Sequence, residues 1–123
     1  MMPPPLRRVI PLAAAILAAG LAVRFLPVFP AALRDALGGV CYTLLVAVLL
    51  RATGLRPGAA AAGALAWSCS VELLQLWHPA WLDSIRATLP GRLVLGTTFG
   101  WGDFPPYFAG ALAACRTRAA GQA

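Results

Sequence analysis

The chain has 123 residues, of which 60% are hydrophobic and only 11% are charged. A soluble domain carries roughly a quarter charged residues, so this chain has too few of them to cover a water-exposed surface. Disorder is excluded as well, because a disordered chain needs low hydrophobicity together with high net charge. What remains is a polytopic membrane protein with at most about four or five crossings, at about 20 residues each.

The net charge of +6 comes with ten arginines that lie singly or in pairs between apolar runs. Nucleic-acid-binding proteins instead cluster their basic residues on one face. Arginines that flank membrane spans are distributed as they are here. The pattern therefore favours membrane lipids as the surroundings and argues against nucleic acid as a partner.

A first membrane-spanning helix is predicted over residues 7–26, where a long apolar run follows Arg7 and Arg8. A signal peptide has the same pattern, but the rest of the chain is equally apolar, which favours an uncleaved helix. A second helix is predicted over residues 34–51. Its apolar run alone would rise only about 22 Å at 1.5 Å per residue, so the helix must include Asp35.

A third helix is predicted over residues 57–77, ended by Pro79, and a fourth over residues 103–116. Residues 80–102 mix charged and apolar side chains, which is typical of a short interfacial or re-entrant segment between helices three and four. The predicted fold class is therefore all-α. We expect a single integral membrane domain, residues 1–123, with four transmembrane helices.

Three of the predicted helices carry a polar stripe in the same half of the membrane. An ionisable residue inside a span costs about 2.5–3.5 kcal/mol on insertion scales, so Glu72 should face protein or water. Arg34 and Arg86 lie at a matching depth and could compensate its charge. The candidate polar cluster or ligand-binding site consists of Arg34, Asp35, Tyr42, Glu72, Gln75, Arg86, Asp103 and Tyr107.

Two interpretations of this cluster stay open. Glu72 fits a proton acceptor or ligand anchor as well as a hydrogen-bond cluster that ties helices together. Asp35 and Asp103 lie at predicted helix N-termini, where a capping role is favoured. The sequence shows no catalytic signature, and the three cysteines have no C-x-x-C spacing. No catalytic residue, metal ion or cofactor is predicted, and the balance leans against an enzyme.

With four crossings, both termini lie on one side of the membrane. The arginines on that side are Arg7, Arg8, Arg51, Arg56, Arg116 and Arg118. Those on the other side are Arg24, Arg34, Arg86 and Arg92. Since cytoplasmic loops are enriched in basic residues, this distribution favours cytoplasmic termini in a multi-pass protein of the inner membrane. The polar cluster then lies near the non-cytoplasmic face.

The polar residues belong to longer sequence pieces. These are Arg34-Asp35-x-x-Gly38-x-x-x-Tyr42, Val71-Glu72-Leu73-Leu74-Gln75-Leu76, Arg86, and Leu95-Gly96-x-x-Phe99-x-Trp101-x-Asp103-x-x-x-Tyr107-x-x-Gly110. Over about residues 30–112 they resemble a bacterial family of small membrane proteins catalogued as a domain of unknown function. That family includes YjgA-like proteins, some of which carry a "ribosomal maturation" label. The pattern is also distantly similar to the VanZ-like family, linked to glycopeptide resistance and the cell envelope.

The resemblance implies a four-helix membrane protein with a shared polar set, and it supplies no established activity. Pro105-Pro106 departs from the aliphatic residues usual in relatives. Our leading hypothesis is an inner-membrane protein of unknown molecular function with a binding or accessory role at the cell envelope. It would hold a lipid head group or a partner helix. The alternatives are an enzyme on a lipid-linked substrate with Glu72 as general base, a small transporter, and a purely structural membrane subunit. The oligomeric state is left open.

Overall fold

The computed structural model describes residues 4–26, 28–95 and 101–116, and its regular elements within those ranges are all helical. The helices are α1 (Pro4–Phe25), α2 (Ala31–Arg51), α3 (Pro57–Leu74), α4 (Ala80–Arg86), α5 (Leu89–Leu95), a 3-10 helix (Trp101–Asp103) and α6 (Phe104–Arg116). The predicted all-α class is confirmed for this part of the chain.

The second helix, α2, is the centre of the bundle. It contacts α1, α3 and α6, and α3 also packs against α6. The turns after α1 and α2 reverse the chain, and the turn after α2 contains Gly54, whose φ of 97° suits glycine. As a result α1 and α3 end where α2 and α6 begin, and we call this end of the bundle the cavity end.

The helices contact one another through small side chains. The buried core cluster consists of Ala47, Ala61, Ala64, Ala111 and Ala114. Large apolar side chains point outward instead, among them Trp67, Leu73 and Phe108, which are 48%, 52% and 58% exposed. Small residues inside and large apolar residues outside are typical of helices that pack in lipid, where burying large apolar groups brings no gain.

Two helices in the described part of the chain are long and apolar enough to cross a membrane, Arg7–Phe25 and Ala31–Arg51. Only 6% of the first segment and 17% of the second are buried inside the molecule. The 18 residues of α3 would rise about 27 Å, and the 13 residues of α6 about 20 Å. Four crossings were predicted from the sequence; length and composition give two candidate spans, and the number of crossings stays a prediction.

The region between the third and the last long helix contains two short helices. The third helix stops at Leu74 rather than near residue 77, because Leu76 and Trp77 donate to carbonyls three residues back in a tightened last turn. Pro90 falls in the first turn of α5, where a missing N–H costs no hydrogen bond. The Gly96 and Phe99 motif positions and Arg118 lie outside the described residues.

Two glycines allow α2 and α6 to approach closely. A Cβ added at Gly110 would lie 2.7 Å from the Val40 carbonyl oxygen and 3.0 Å from the Cβ of Thr43. A Cβ at Gly39 would lie 2.9 Å from the Cβ of Pro106. The contact between these helices therefore depends on the absence of side chains at both positions.

We predict that Gly110→Ala lowers the free energy of unfolding by about 1–3 kcal/mol, because overpacking forces α6 away from the α2 backbone. The measurement is unfolding in detergent, followed by circular dichroism.

Gly58→Ala is the matched control, since Gly58 is also helical and nothing lies within 4 Å of its added Cβ. This control should be neutral or slightly stabilising. If Gly110→Ala were as stable as Gly58→Ala, the close approach of α2 and α6 would be wrong.

Candidate functional site

A cavity of about 710 Å³ lies at the cavity end of the bundle. This volume falls in the range of roughly 300–1,000 Å³ that small-molecule sites occupy. The polar and charged residues that line it are Arg24, Arg34, Asp35, Tyr42, Glu72, Gln75, Arg92, Asp103 and Tyr107. Seven of the eight residues predicted from the sequence are therefore brought to one cavity, and Arg86 is not among its lining residues.

Glu72 joins three elements at the inner wall of the cavity. Its side chain is fully buried, with 0% exposure. The Tyr107 hydroxyl of α6 donates a hydrogen bond of 2.9 Å to its Oε2. The carboxyl group of Asp103, in the 3-10 helix, also hydrogen-bonds to Glu72. A hydrogen bond between two carboxyl groups needs a proton on one of them, so this contact favours the protonated form of Asp103.

Asp103, which lies outside the four long helices, is the carboxyl group whose protonated form is favoured. Burial contributes most, and together with the hydrogen bond and charge of Glu72 and the charge of Asp35 it raises the pKa of the Asp103 carboxyl to about 7. Each of these effects penalises the ionised form of the group. Asp103 is therefore protonated over much of the acidic range, in which an ordinary aspartate is ionised.

Side chains from α2 and α3 fix α5 as a wall of the cavity. The Tyr42 hydroxyl donates a hydrogen bond of 2.8 Å to the Val94 carbonyl and accepts one of 2.7 Å from the Trp67 indole N–H. The amide Nε2 of Gln75 donates a hydrogen bond of 2.7 Å to the Leu95 carbonyl. These carbonyls belong to the last turn of a helix, where no intrahelical donor is available. Holding this turn also places Arg92 at the cavity.

Gln75 retains one hydrogen-bonding atom without a protein partner. Its side chain is only 4% exposed, and no described residue donates to its Oε1. Buried polar atoms are nearly always hydrogen-bonded, so an acceptor left over beside a cavity calls for an explanation in terms of what the cavity holds.

Arg86 serves a different purpose from the one predicted. Its guanidinium donates to the carbonyls of Leu74 and Trp77 at 3.0 Å and 2.9 Å, and to Asp83 at 3.0 Å. The turn between α3 and α4 brings Arg86 under the last turn of α3, whose carbonyls lack donors. It therefore caps α3 instead of compensating the cavity acids.

Asp83 completes this cap on the exposed side. His78 Nδ1 lies 3.1 Å from the Asp83 carboxylate. The hydrogen bond to His78, followed by that to Arg86, holds the pKa of Asp83 below its ordinary value. The Arg86 cap and the cavity are thus two separate polar groups.

The polar cluster predicted from the sequence did not include Arg24, Arg92 or Thr43. The two arginines line the cavity, and the hydroxyl of Thr43 lies 2.8 Å from that of Ser68, both side chains being fully buried. Thr43 follows Tyr42 directly, and its burial against α3 depends on the crossing of two helices. Arg24 lies in the last turn of α1, and from the sequence it was counted only among the arginines on one side of the membrane.

Most of the chain matches a known protein family. Residues 28–111 match the family described as "Protein of unknown function (DUF2809)". The chain belongs to this family. The matched region runs from just before α2 into α6, so the DUF2809 match covers the cavity walls other than α1. The predicted membership of a family of unknown function is confirmed, while its YjgA-like and VanZ-like details stay predictions. No solved structure matches the chain.

The stability of the protein should depend on pH through Asp103. Its pKa is 3.8 in an unfolded chain and about 7 in the fold, so the folded state binds the proton more tightly. Stability is then highest below about pH 4 for this group and is lost as the pH rises through about 7. Asp103→Asn should remove most of this loss, measured as melting temperature against pH in detergent.

Asp35→Asn is the control for this prediction, since Asp35 makes the smallest contribution to the shift. It should keep most of the pH dependence. The wild-type melting temperature is compared between pH 5 and 8 with that of Asp103→Asn. If the difference between the two curves is flat or rises with pH, the raised pKa of Asp103 is contradicted.

Replacing Arg86 should weaken the fold without affecting the cavity. Arg86→Met leaves the partly buried carbonyls of Leu74 and Trp77 without the donors they have in the wild type, which should cost about 1–3 kcal/mol in the free energy of unfolding. Unfolding in detergent gives this number, and native mass spectrometry of the same sample shows whether the content of any bound ligand changes. If Arg86→Met lost a bound ligand and kept the wild-type stability, Arg86 would belong to the cavity and would not be the cap of α3.

Proposed function

We propose that this protein spans the bacterial inner membrane with α1, α2, α3 and α6 and binds a phosphate-bearing lipid head group in its polar cavity. Its role is that of a binding or accessory protein of the cell envelope. The observation that carries the proposal is the group of three arginines, Arg24, Arg34 and Arg92, around a cavity whose deepest wall is acidic.

The outer surface of the bundle supports the membrane part of the proposal. The apolar residues at least 48% exposed include Leu17, Leu49, Trp67, Phe108 and Leu112, from every long helix. A soluble protein rarely leaves this much apolar surface uncovered. The helices that carry it are the four that the proposal places in the bilayer.

The last helix is the shortest of the four and needs an explanation. At about 20 Å it is shorter than the hydrocarbon core of about 30 Å. A short span is accommodated when the bilayer thins locally and basic residues reach outward to the head groups. Arg116, at the end of α6, is placed to do so.

Sidedness follows from the topology and the arginines. With four crossings the termini share one side, and the cavity end lies on the other. The larger number of arginines on the side of the termini favours a cytoplasmic location there. The cavity then opens toward the non-cytoplasmic leaflet. Trp77 and Trp81, exposed beside α4, lie at that end, as tryptophans at a membrane interface do.

The arginines of the cavity are available to a ligand. Within the described ranges, both ion pairs of Asp83 lie outside the cavity, and Arg24, Arg34 and Arg92 make no ion pair. The cavity lining holds three arginines and three acidic residues, and a pKa of about 7 leaves Asp103 only partly ionised near neutral pH, so positive charge is in excess. Arginine binds phosphate through two parallel hydrogen bonds, so an anionic phosphate is the ligand that this arrangement favours.

Glu72 helps to bind in this proposal and does not act as a general base. Both Tyr107 and Asp103 hydrogen-bond its carboxylate. An enzyme on a lipid-linked substrate would need a base within hydrogen-bonding reach of the substrate. The site therefore favours binding over the catalytic alternative.

The test is native mass spectrometry of protein released gently from membranes, followed by titration with defined phospholipids. Arg34→Gln and Arg92→Gln should each weaken phospholipid binding by about tenfold, the effect of losing one charge-assisted contact. Arg56→Gln is the matched control, because Arg56 is exposed at the opposite end of the bundle and carries the same charge.

Equal binding by all three variants and the wild type would reject the arginine site. A melting temperature that falls in the cavity variants, with lipid content unchanged, would make the cluster purely structural.

A further inference from the structure

The cavity has two chemically different ends. Its cations are the more accessible residues, with Arg24 and Arg92 exposed and Arg34 half-buried. Its buried polar residues are Glu72, at 0% exposure, and Gln75, at 4%, while Asp103 is half-buried and Asp35 is exposed. An occupant that satisfies both ends has an anionic group outside and a hydrogen-bond donor inside.

The inner end requires a donor. The Oε1 atom of Gln75 is buried and accepts nothing from the described residues. The acidic residues Glu72 and Asp103 line the same cavity, so carboxyl groups share it with this acceptor. A cationic hydrogen-bond donor satisfies both groups, because it hydrogen-bonds the Gln75 amide oxygen and offsets negative charge on the carboxyls.

The two ends are close together. Gln75 binds the Leu95 carbonyl, and Arg92 lies three residues before Leu95 on the same helix. Residues at this spacing are neighbours on a helix surface, with Cβ atoms about 5–6 Å apart. The anionic and cationic groups of an occupant must therefore be joined by a short linker.

Resting on the proposed function, we infer that the cavity recognises a phosphate group joined through a short linker to a primary ammonium group, the chemistry of phosphoethanolamine. The arginines bind the phosphate, and Gln75 Oε1 accepts a hydrogen bond from the ammonium. A lipid head group and a soluble phosphoethanolamine offer the same groups.

Other occupants of the inner end fit less well. A trimethylated ammonium has the charge but no N–H donor, and a glycerol head group has donors but no positive charge. The described residues include no set of three or more His, Cys, Asp or Glu side chains that could hold a metal ion. Primary ammonium is the group that supplies both the charge and the hydrogen bond.

The experiment compares phospholipids with identical acyl chains in nanodiscs or detergent, by native mass spectrometry. The head groups are ethanolamine, N-monomethyl- and N,N-dimethylethanolamine, choline and glycerol. Wild-type protein should prefer ethanolamine over choline and over glycerol by about tenfold, with a stepwise loss along the methyl series. Varying the ligand leaves the folded protein unchanged, so a variant that fails to fold cannot hide the result.

Variants then locate the preference. Gln75→Met should bind ethanolamine and choline lipids equally, while Arg56→Gln should keep the wild-type preference. A soluble arm adds phosphoethanolamine as competitor. Displacement of the lipid at millimolar concentration shows that the head group alone is recognised, and no displacement assigns the site to the lipid.

The outcomes separate the two proposals. Tight binding of all phospholipids without preference overturns the ammonium inference and leaves the arginine site standing. Preference for choline or glycerol overturns the ammonium inference as well. Failure to bind any phospholipid overturns the proposed function and this inference together.

Discussion

The buried carboxylate of Glu72 is the constraint on which the rest of this structure depends. A fully buried carboxylate is too costly to leave without hydrogen bonds, so the helices around it must supply donors. Tyr107 from α6 does so, and the Asp103 carboxyl of the 3-10 helix also hydrogen-bonds to Glu72. Their positions fix the last helix against α3 and determine where the cavity forms.

Close helix packing makes this polar arrangement feasible. Alanines and Gly110 let α2, α3 and α6 approach through small surfaces, and the buried hydrogen bond between Thr43 and Ser68 joins α2 to α3. Small residues at the interfaces and interhelical hydrogen bonds are typical of helices that associate in lipid. Larger side chains are left to face outward, and a cavity lies at one end of the bundle.

Much of the site follows from the sequence because helical spacing fixes which residues share a face. Glu72 and Gln75 on one helix, and Asp103 and Tyr107 around the start of another, were placed together by spacing alone. Spacing does not reveal how the chain turns between helices. For that reason Arg86 was assigned to the cluster, although α4 carries it under the end of α3, and Arg92 was missed although α5 carries it to the cavity. The crossing of α2 and α3 that buries Thr43 is likewise a tertiary property.

The most direct test of a ligand site in this cavity is an experimental structure of the protein in lipid nanodiscs at a resolution that shows side chains. The account predicts density for a phosphate in hydrogen-bonding contact with Arg34 or Arg92, with the remainder of a head group extending toward Gln75. A cavity filled by water alone or by acyl chains, with these arginines turned toward bulk solvent, would contradict it.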